Sequence, residues 1–277
     1  MEKNSFTIRS LHTAEELGMV RDLECLVWES DDPVPVHQTM TVVKHGGMVL
    51  GAFDAERLIG FQYSFAGFDG KKPYLCSHTL GIHPDYRKSG IGEQLKRVQR
   101  EEALRIGYDL ITWTYDPLET VNGNLNIRKL GAVCSKYIEN CYGEMTDILN
   151  AGIPSDRFEV EWRIQSEHVS RRMQGDRNGQ EDIVSFPQAV QLAVDDRGFA
   201  VPVDIDLRFD QPSGTLAVAV PANFQNVKVA DMELALRWRL QTRAVFSHYF
   251  KQGWQVVQFV KSDGQAPAHY YLLQKSE

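Results

Sequence analysis

The residues with the clearest chemistry lie in a short basic loop, Arg87-Lys88-Ser89-Gly90-Ile91-Gly92. The loop follows an apolar, β-like segment that stops at Pro84, and it opens into an amphipathic pattern typical of a helix. The first turn of a helix directs free N–H groups and partial positive charge toward one point. The two glycines allow a ligand to approach the backbone closely, and the two basic side chains add formal charge. We therefore expect a phosphate or pyrophosphate site here.

Two familiar phosphate motifs are absent from this loop. The sequence has neither the G-x-x-x-x-G-K-[ST] motif nor the G-x-G-x-x-G motif at this place. It has R-x-x-G-x-G instead, after a strand that ends in hydrophobic-x-His-Pro and with Tyr86 beside the loop. This arrangement resembles motif A of the GNAT superfamily of acyl-CoA-dependent N-acyltransferases. The alternative is an ordinary turn between a strand and a helix.

The resemblance implies a set of contacts with acetyl-CoA or another acyl-CoA, and no metal. The pyrophosphate would lie in the loop, against Arg87, Lys88, Ser89, Gly90, Ile91 and Gly92. The preceding strand would pair its backbone with the pantetheine arm through Leu80, Gly81 and Ile82. The backbone N–H of Leu80 or Ile82 is implied as the donor to the developing oxyanion.

His78 is the candidate general base. Transfer of an acyl group from a thioester to an amine requires a group that takes the proton of the amine. His78 lies nine residues before Arg87, where it resembles a catalytic His of arylalkylamine acetyltransferases. An imidazole with a pKa of about 6.5 can accept a proton near neutral pH. A structural His on a sheet face is the alternative, and Cys76 as a nucleophile is disfavoured.

The general acid is not evident from the resemblance. Many GNAT members carry a Tyr three residues before the Leu of a K-L-G-F sequence, and here that position is Ile127. A Tyr acid would have to come from Tyr115, Tyr137 or Tyr142, but the sequence supports better an interpretation of these residues as partly buried strand aromatics. A non-catalytic acyl-CoA-binding protein therefore stays open as an alternative.

The elements that must position these residues form an α/β pattern, a mixed α+β sheet. Thr13 and Glu16 match a capping box that begins a helix over 14–28. Further strands are expected at 6–9, 48–53, 58–68, 74–82, 110–115 and 133–142, and helices at 90–106 and 122–130. Strict alternation along 74–82 would place Cys76, His78 and Leu80 on one face. The resemblance implies a GNAT fold whose central strands splay apart.

The second half of the chain has a different character. We assign 1–150 to a GNAT acyl-CoA-binding catalytic domain and 151–277 to a C-terminal α/β domain. The latter has a polar stretch over 166–182 read as a surface loop, a helix over 231–250, and strands near 158–164, 189–194, 203–209, 216–220, 254–260 and 269–273. It is either a degenerate GNAT-like repeat or an unrelated cap that walls the substrate pocket or mediates dimerisation.

Composition limits the class of protein. The 277 residues are 43% apolar and 24% charged, which is typical of a globular protein, and the net charge of −7 argues against general nucleic-acid binding. Apolar runs are too short to cross a bilayer, and the N-terminus lacks the apolar segment of a signal peptide. Four cysteines without C-x-x-C spacing favour reduced, buried thiols in a cytoplasmic protein.

The sequence thus predicts an acyl-CoA-dependent N-acyltransferase, most simply an N-acetyltransferase. The resemblance implies that the amine of a small molecule or amino acid attacks the thioester directly. No nucleic-acid or membrane partner is expected, and a homodimer stays open. An N-succinyltransferase of amino acids and a protein or peptide N-acetyltransferase are the enzymatic alternatives.

Overall fold

The computed structural model describes residues 6–29, 32–145, 150–176, 182–211, 214–263 and 266–275. The chain forms two compact units. The first contains Met1–Trp113 and Arg163–Gln165, and the second contains Thr114–Trp162 and Ser166–Glu277. The change of unit after Trp113 lies well before residue 150. The division into domains at residue 150 stays a prediction.

The first unit is built on strands in the order β1-β2-β3-β4-β5. Neighbours are antiparallel except β4 and β5, which are parallel and joined by helix α3. Its elements are β1 (Thr7–Ser10), α1 (Ala14–Trp28), α2 (Val36–Lys44), β2 (Met48–Asp54), β3 (Arg57–Phe68), β4 (Pro73–Ile82), a 3₁₀ turn (Pro84–Tyr86), α3 (Ile91–Ile106) and β5 (Leu110–Tyr115), whose last two residues belong to the second unit.

The predicted capping box begins α1. The N–H of Glu16 donates to the Thr13 hydroxyl at 3.2 Å, and the Glu16 carboxylate accepts from the Thr13 N–H at 3.0 Å. Leu17 and Val20 then face the sheet and pack in one apolar cluster with Phe61. The capping box fixes the residue at which α1 begins, and therefore which side chains of the helix face β3.

Strands β4 and β5 separate soon after they pair. The pairing joins Leu75 to Ile111 and Cys76 to Thr112 and extends no further along either strand. The rest of β4 runs toward the basic loop with one edge unpaired by β5. This is the splayed arrangement that the resemblance implied.

A β-bulge interrupts β4 at His78. Tyr63 is opposite Thr79 and Ser64 is opposite Ser77, so His78 is the extra residue. The predicted strict alternation is therefore wrong beyond this point. Leu80 is opposite Gln62 and lies on the α3 face with Ser77, whereas the His78 ring lies on the other face.

The second unit contains strands in the order β7-β6-β11-β12-β10 and a separate β8-β9 pair. Its elements are α4 (Thr120–Gly123), a π-helical continuation (Asn124–Lys129), β6 (Val133–Ile138), β7 (Arg157–Arg163), α5 (Glu167–Met173), a 3₁₀ turn (Ile183–Ser185), β8 (Val190–Val194), β9 (Ala200–Ile205), β10 (Leu216–Pro221), α6 (Phe224–Ala230), α7 (Met232–Lys251), β11 (Trp254–Val260) and β12 (Ala268–Lys275). Arg163 is counted with the first unit.

Some expectations for the second unit are corrected. The stretch 166–182, predicted to be a surface loop, contains helix α5. Ser166 caps this helix by accepting from the N–H of Val169, and the helix buries Val169 and Arg172. Residues 177–181 of the stretch lie outside the described part. Asp231 does cap α7, accepting from the N–H of Leu234 at 2.9 Å. The short helix α6 was not expected.

Two general expectations can be compared with the structure. No helix among the described residues is long and apolar enough to cross a membrane. No disulfide joins cysteines in the described part of the chain, and Cys134 is fully buried, whereas Cys25, Cys76 and Cys141 are half-buried.

Candidate active site

The basic loop turns the chain into α3 through two left-handed residues. Lys88 has φ of 64° and Gly90 has φ of 87°. Glycine is favoured at Gly90 because this conformation carries no steric cost without a Cβ. The turn brings the N–H groups of the loop into line with the start of the helix.

The start of α3 is open for a ligand. Gly90 is the N-cap residue and offers no side chain to the free N–H groups. Its carbonyl accepts from the N–H of Gln94 at 3.2 Å. The N–H groups that precede Gln94 in the first turn have no intrahelical acceptor, so they suit an external anion.

The base of the loop is braced against the β2–β3 turn. The Tyr86 hydroxyl donates to Asp54 at 2.7 Å, and Arg57 contacts the His83 ring nitrogen at 2.8 Å. The Ser89 hydroxyl is used to hold the loop, since it donates to the Tyr86 carbonyl. These contacts fix the backbone of the loop before any ligand binds.

Gly92 is not required by the packing of the protein. A Cβ built there meets Leu80 Cδ2 at 3.6 Å, which is an ordinary contact. Glycine in a helix costs roughly 1 kcal/mol relative to alanine. A bare backbone at this position therefore fits a ligand that approaches it. Gly81 differs, because a Cβ there would lie 2.6 Å from the Phe61 ring.

The unpaired edge of β4 presents backbone groups at alternate residues. The N–H of His83 donates to the Ile59 carbonyl in β3 at 2.9 Å. Alternation along the strand then directs the groups of Gly81 toward β3 and those of Leu80 and Ile82 toward the open edge. These are the two residues that the resemblance implied as oxyanion donors.

His78 lies on the sheet face opposite α3. Its ring packs near Tyr63 and Phe65, with centroids 5.9 and 5.5 Å apart. Its ring nitrogens carry no hydrogen bond to another described residue. Partial burial lowers the pKa of His78, so the imidazole is neutral near pH 7 and can accept a proton.

The tyrosines considered as acids belong to the second unit, and each hydroxyl has a hydrogen-bond partner there. Tyr115 donates to Tyr271 at 3.2 Å, Tyr137 donates to Asp156 at 2.7 Å, and Tyr142 contacts Thr114 at 2.7 Å. Burial raises the pKa of both Tyr115 and Tyr137 well above the ordinary value. Their role as acids stays a prediction.

Sequence analysis missed a buried polar cluster beneath α3. Lys96 is 3% exposed, and its Nζ donates to the Ser77 hydroxyl at 2.7 Å. Gln99 donates to Ser64 at 2.8 Å, and Gln62 donates to Ser77 at 3.2 Å. Sequence analysis gave Lys96 no role, because the sequence of α3 is rich in charged residues. Ile91, Leu95 and Gln99 are spaced four residues apart, which indicates that this polar part of the helix also has a buried face.

The solved structures that resemble this protein cover somewhat more than half of the chain. No family model matches the chain, and no curated protein matches it. The ribosomal-protein-S18-alanine N-acetyltransferase from Escherichia coli is 16% identical, over 58% of this chain and 96% of that chain, with a TM-score of 0.47. An N-acetyltransferase from Staphylococcus aureus Mu50 is 15% identical over 58% and 99%, with a TM-score of 0.47. The NatC complex bound to Gag peptide and CoA is 14% identical over 57% and 98%, with a TM-score of 0.46.

The prediction of a mixed α/β chain is confirmed, and the splayed β4–β5 pair is the arrangement that the resemblance to the GNAT fold implied. A degenerate GNAT-like repeat in the second half stays a prediction. Because the TM-scores of these comparisons lie below 0.5, function is inferred from the geometry of the site.

Proposed function

We propose that the protein is an acyl-CoA-dependent N-acyltransferase, with acetyl-CoA as the simplest donor. The observation that carries this proposal is the splayed β4–β5 pair with an uncapped helix start at its open end. The uncapped start suits a pyrophosphate, and the open edge of β4 suits an extended arm with amide groups. An ordinary turn between a strand and a helix would explain neither the unpaired strand edge nor the glycine at Gly92.

The reaction proceeds by direct attack in this proposal. The neutral amine of the acceptor attacks the thioester carbonyl carbon, and His78 takes its proton directly or through a water. The N–H of Leu80 or Ile82 stabilises the oxyanion of the tetrahedral intermediate. The C–S bond then breaks and the CoA thiolate leaves. Strand and loop hold the donor in one place throughout.

The acceptor in this proposal is the amine of a small molecule or amino acid, and the acyl group is acetyl. Succinyl transfer to amino acids and acetyl transfer to a protein or peptide are the enzymatic alternatives. Another candidate function, non-catalytic binding of acyl-CoA, is favoured by one observation. Ile127 is fully buried where many GNAT members carry their acid, so the usual proton donor is missing.

Two measurements test the proposal together. Thermal unfolding with CoA, acetyl-CoA and succinyl-CoA should show a rise in Tm, because a ligand selective for the folded state stabilises it. Mass spectrometry of an amine and amino-acid panel incubated with each donor should then show acylated product. Binding without any product would favour the non-catalytic function. Absence of both would refute acyl-CoA binding and the proposal with it.

A further inference from the structure

Lys96 lies at the vertex where β4 and β5 separate. Cys76 and Thr112 are the last paired residues, so Ser77 and Trp113 are the first residues beyond the split on each strand. The Lys96 Nζ contacts both, at 2.7 Å from the Ser77 hydroxyl and 3.7 Å from the Trp113 ring centroid. The ammonium group therefore closes the vertex from the α3 side.

Among the residues that the structure describes, no carboxylate pairs with the Lys96 ammonium to balance its charge. The titratable group that acts on it from β4 is the Cys76 thiol. The side chains that face it from β3 through the cluster are Gln62 and Ser64, and the one from β5 is Trp113, all uncharged. A buried lysine without a carboxylate is costly for folding. Packing alone therefore gives no reason for a lysine here.

The cluster is also incomplete as a hydrogen-bond network. The Oε1 atom of Gln62 is buried and has no hydrogen-bond partner among the described residues. Buried polar atoms are nearly always paired in folded proteins, and exceptions call for an explanation. The Gln62 Oε1 atom is thus an acceptor near Lys96 whose hydrogen-bonding capacity the described side chains do not use.

The open edge of β4 leads from the phosphate loop to this vertex. In the proposed function the pyrophosphate lies at residues 87–92 and the arm follows Ile82 and Leu80. From Leu80 to Ser77 the strand advances roughly 10 Å, at about 3.3 Å per residue. An arm that continues along this edge carries its sulfur toward the vertex, where the Lys96 amine lies.

We propose that Lys96 is the general acid that protonates the departing CoA sulfur. This inference rests on the proposed function. When the C–S bond breaks, the electron pair goes to sulfur and the Lys96 ammonium gives it one proton, which forms the CoA thiol. His78 takes one proton from the attacking amine, so the two groups return to their starting states by exchange with solvent. Lys96 thus supplies the acid that Ile127 cannot.

The protonation state of Lys96 suits this role. Burial lowers the pKa of Lys96 to about 7, while the face of the Trp113 ring favours its charged form. An acid is most effective when its pKa lies near the working pH. Turnover should therefore fall as the pH rises through this pKa and the ammonium loses its proton.

Lys96→Met is the direct test, because methionine is similar in length and carries no proton. We expect acyl-CoA to raise the Tm as in the wild type, kcat to fall by roughly 10²- to 10⁴-fold, and the basic limb of the kcat profile to disappear. Gln99→Met is the matched control, since it disturbs the same buried cluster on the same helix. The control should keep the basic limb, whatever its stability.

A second measurement uses the wild-type protein and needs no variant. At pH 8 the Lys96 amine is mostly neutral and can take the proton of a neighbouring thiol, which forms a thiolate beside an ammonium. Ultraviolet difference spectra at pH 8 should therefore show more thiolate for CoA bound to the wild type than for free CoA, and no such band for desulfo-CoA, which lacks the sulfur. Absence of the thiolate band from bound CoA, or a normal basic limb in Lys96→Met, would overturn the role of Lys96. A wild-type protein that neither binds nor uses acyl-CoA would instead overturn the proposed function.

Discussion

At the scale of single residues, some residues of the site are needed for the shape of the backbone, and others have a type that only ligand binding or catalysis explains. Gly90 and Lys88 have left-handed backbones that shape the loop, and Gly81 leaves room for an aromatic ring. Gly92 and His78 have no such structural reason among their described contacts. They are therefore the positions where substitution separates binding and catalysis from folding.

His78→Gln tests the base. The loop and the β4 backbone are untouched, so CoA should still raise the Tm, whereas the chemical step should slow by roughly 10²- to 10⁴-fold. Partial burial lowers the pKa of His78, so the wild-type rate should rise with pH through a value below the ordinary pKa of a histidine, before it falls along the basic limb assigned to Lys96. The variant should lack the acidic limb and keep the basic one. Near-normal turnover with an unaltered acidic limb would make His78 a structural residue.

Gly92→Ala tests the phosphate site and has a close control in Gly18→Ala. Both positions are helical, and a Cβ at either meets no close contact within the protein. Both variants should therefore be stabilised by up to about 1 kcal/mol in urea unfolding. Gly92→Ala should weaken CoA binding at least tenfold in calorimetry, while Gly18→Ala should bind normally. Equal binding by the two variants would show that no ligand contacts the backbone at residue 92.

At the scale of elements, the sequence predicted helices well where a capping side chain marks the first residue. Thr13 and Glu16 mark α1, and Asp231 marks α7. Helix α2 was missed because it begins after Pro35 with no side-chain cap. The bulge at His78 and the burial of Lys96 depend on β3 and β5, which are distant in sequence, so no local pattern could show them.

The cap of α1 gives a prediction about acid stability. Hydrogen bonds from the backbone N–H groups of His12 and Thr13 lower the pKa of Glu16 to about 2 from an unfolded value of 4.5. Its stabilisation is therefore complete above pH 4.5 and is lost as the pH falls toward 2. In urea unfolding, Glu16→Gln should be less stable than the wild type at pH 7, and this difference should vanish near pH 2. A constant difference across this range would mean that the Glu16 charge does not contribute.

At the scale of the whole molecule, the chain crosses between its compact units more than once. Residues 163–165 belong to the first unit, although the residues before and after them belong to the second unit. Within the first unit, Arg100 of α3 donates to the Ile164 carbonyl at 2.8 Å, and the N–H of Ile164 donates to the Asp109 carbonyl at 3.1 Å. The helix that begins at the phosphate loop is thus held by a segment that the sequence-based boundary at 150 would remove.

A chain cut after residue 150 should therefore fold poorly. Within the second unit the cut deletes β7, which pairs with β6 from Val133 to Ile138, and β11, which meets β6 at Cys134. Strand β6 would then have an unpaired edge on each side, and unpaired edges promote aggregation. We expect the fragment to elute in the void volume of a sizing column and to show no cooperative unfolding. The full chain, purified in parallel, should elute as a discrete species with one or two unfolding transitions. A discrete fragment that binds CoA as tightly as the full chain would show that the first 150 residues carry the site and its support by themselves.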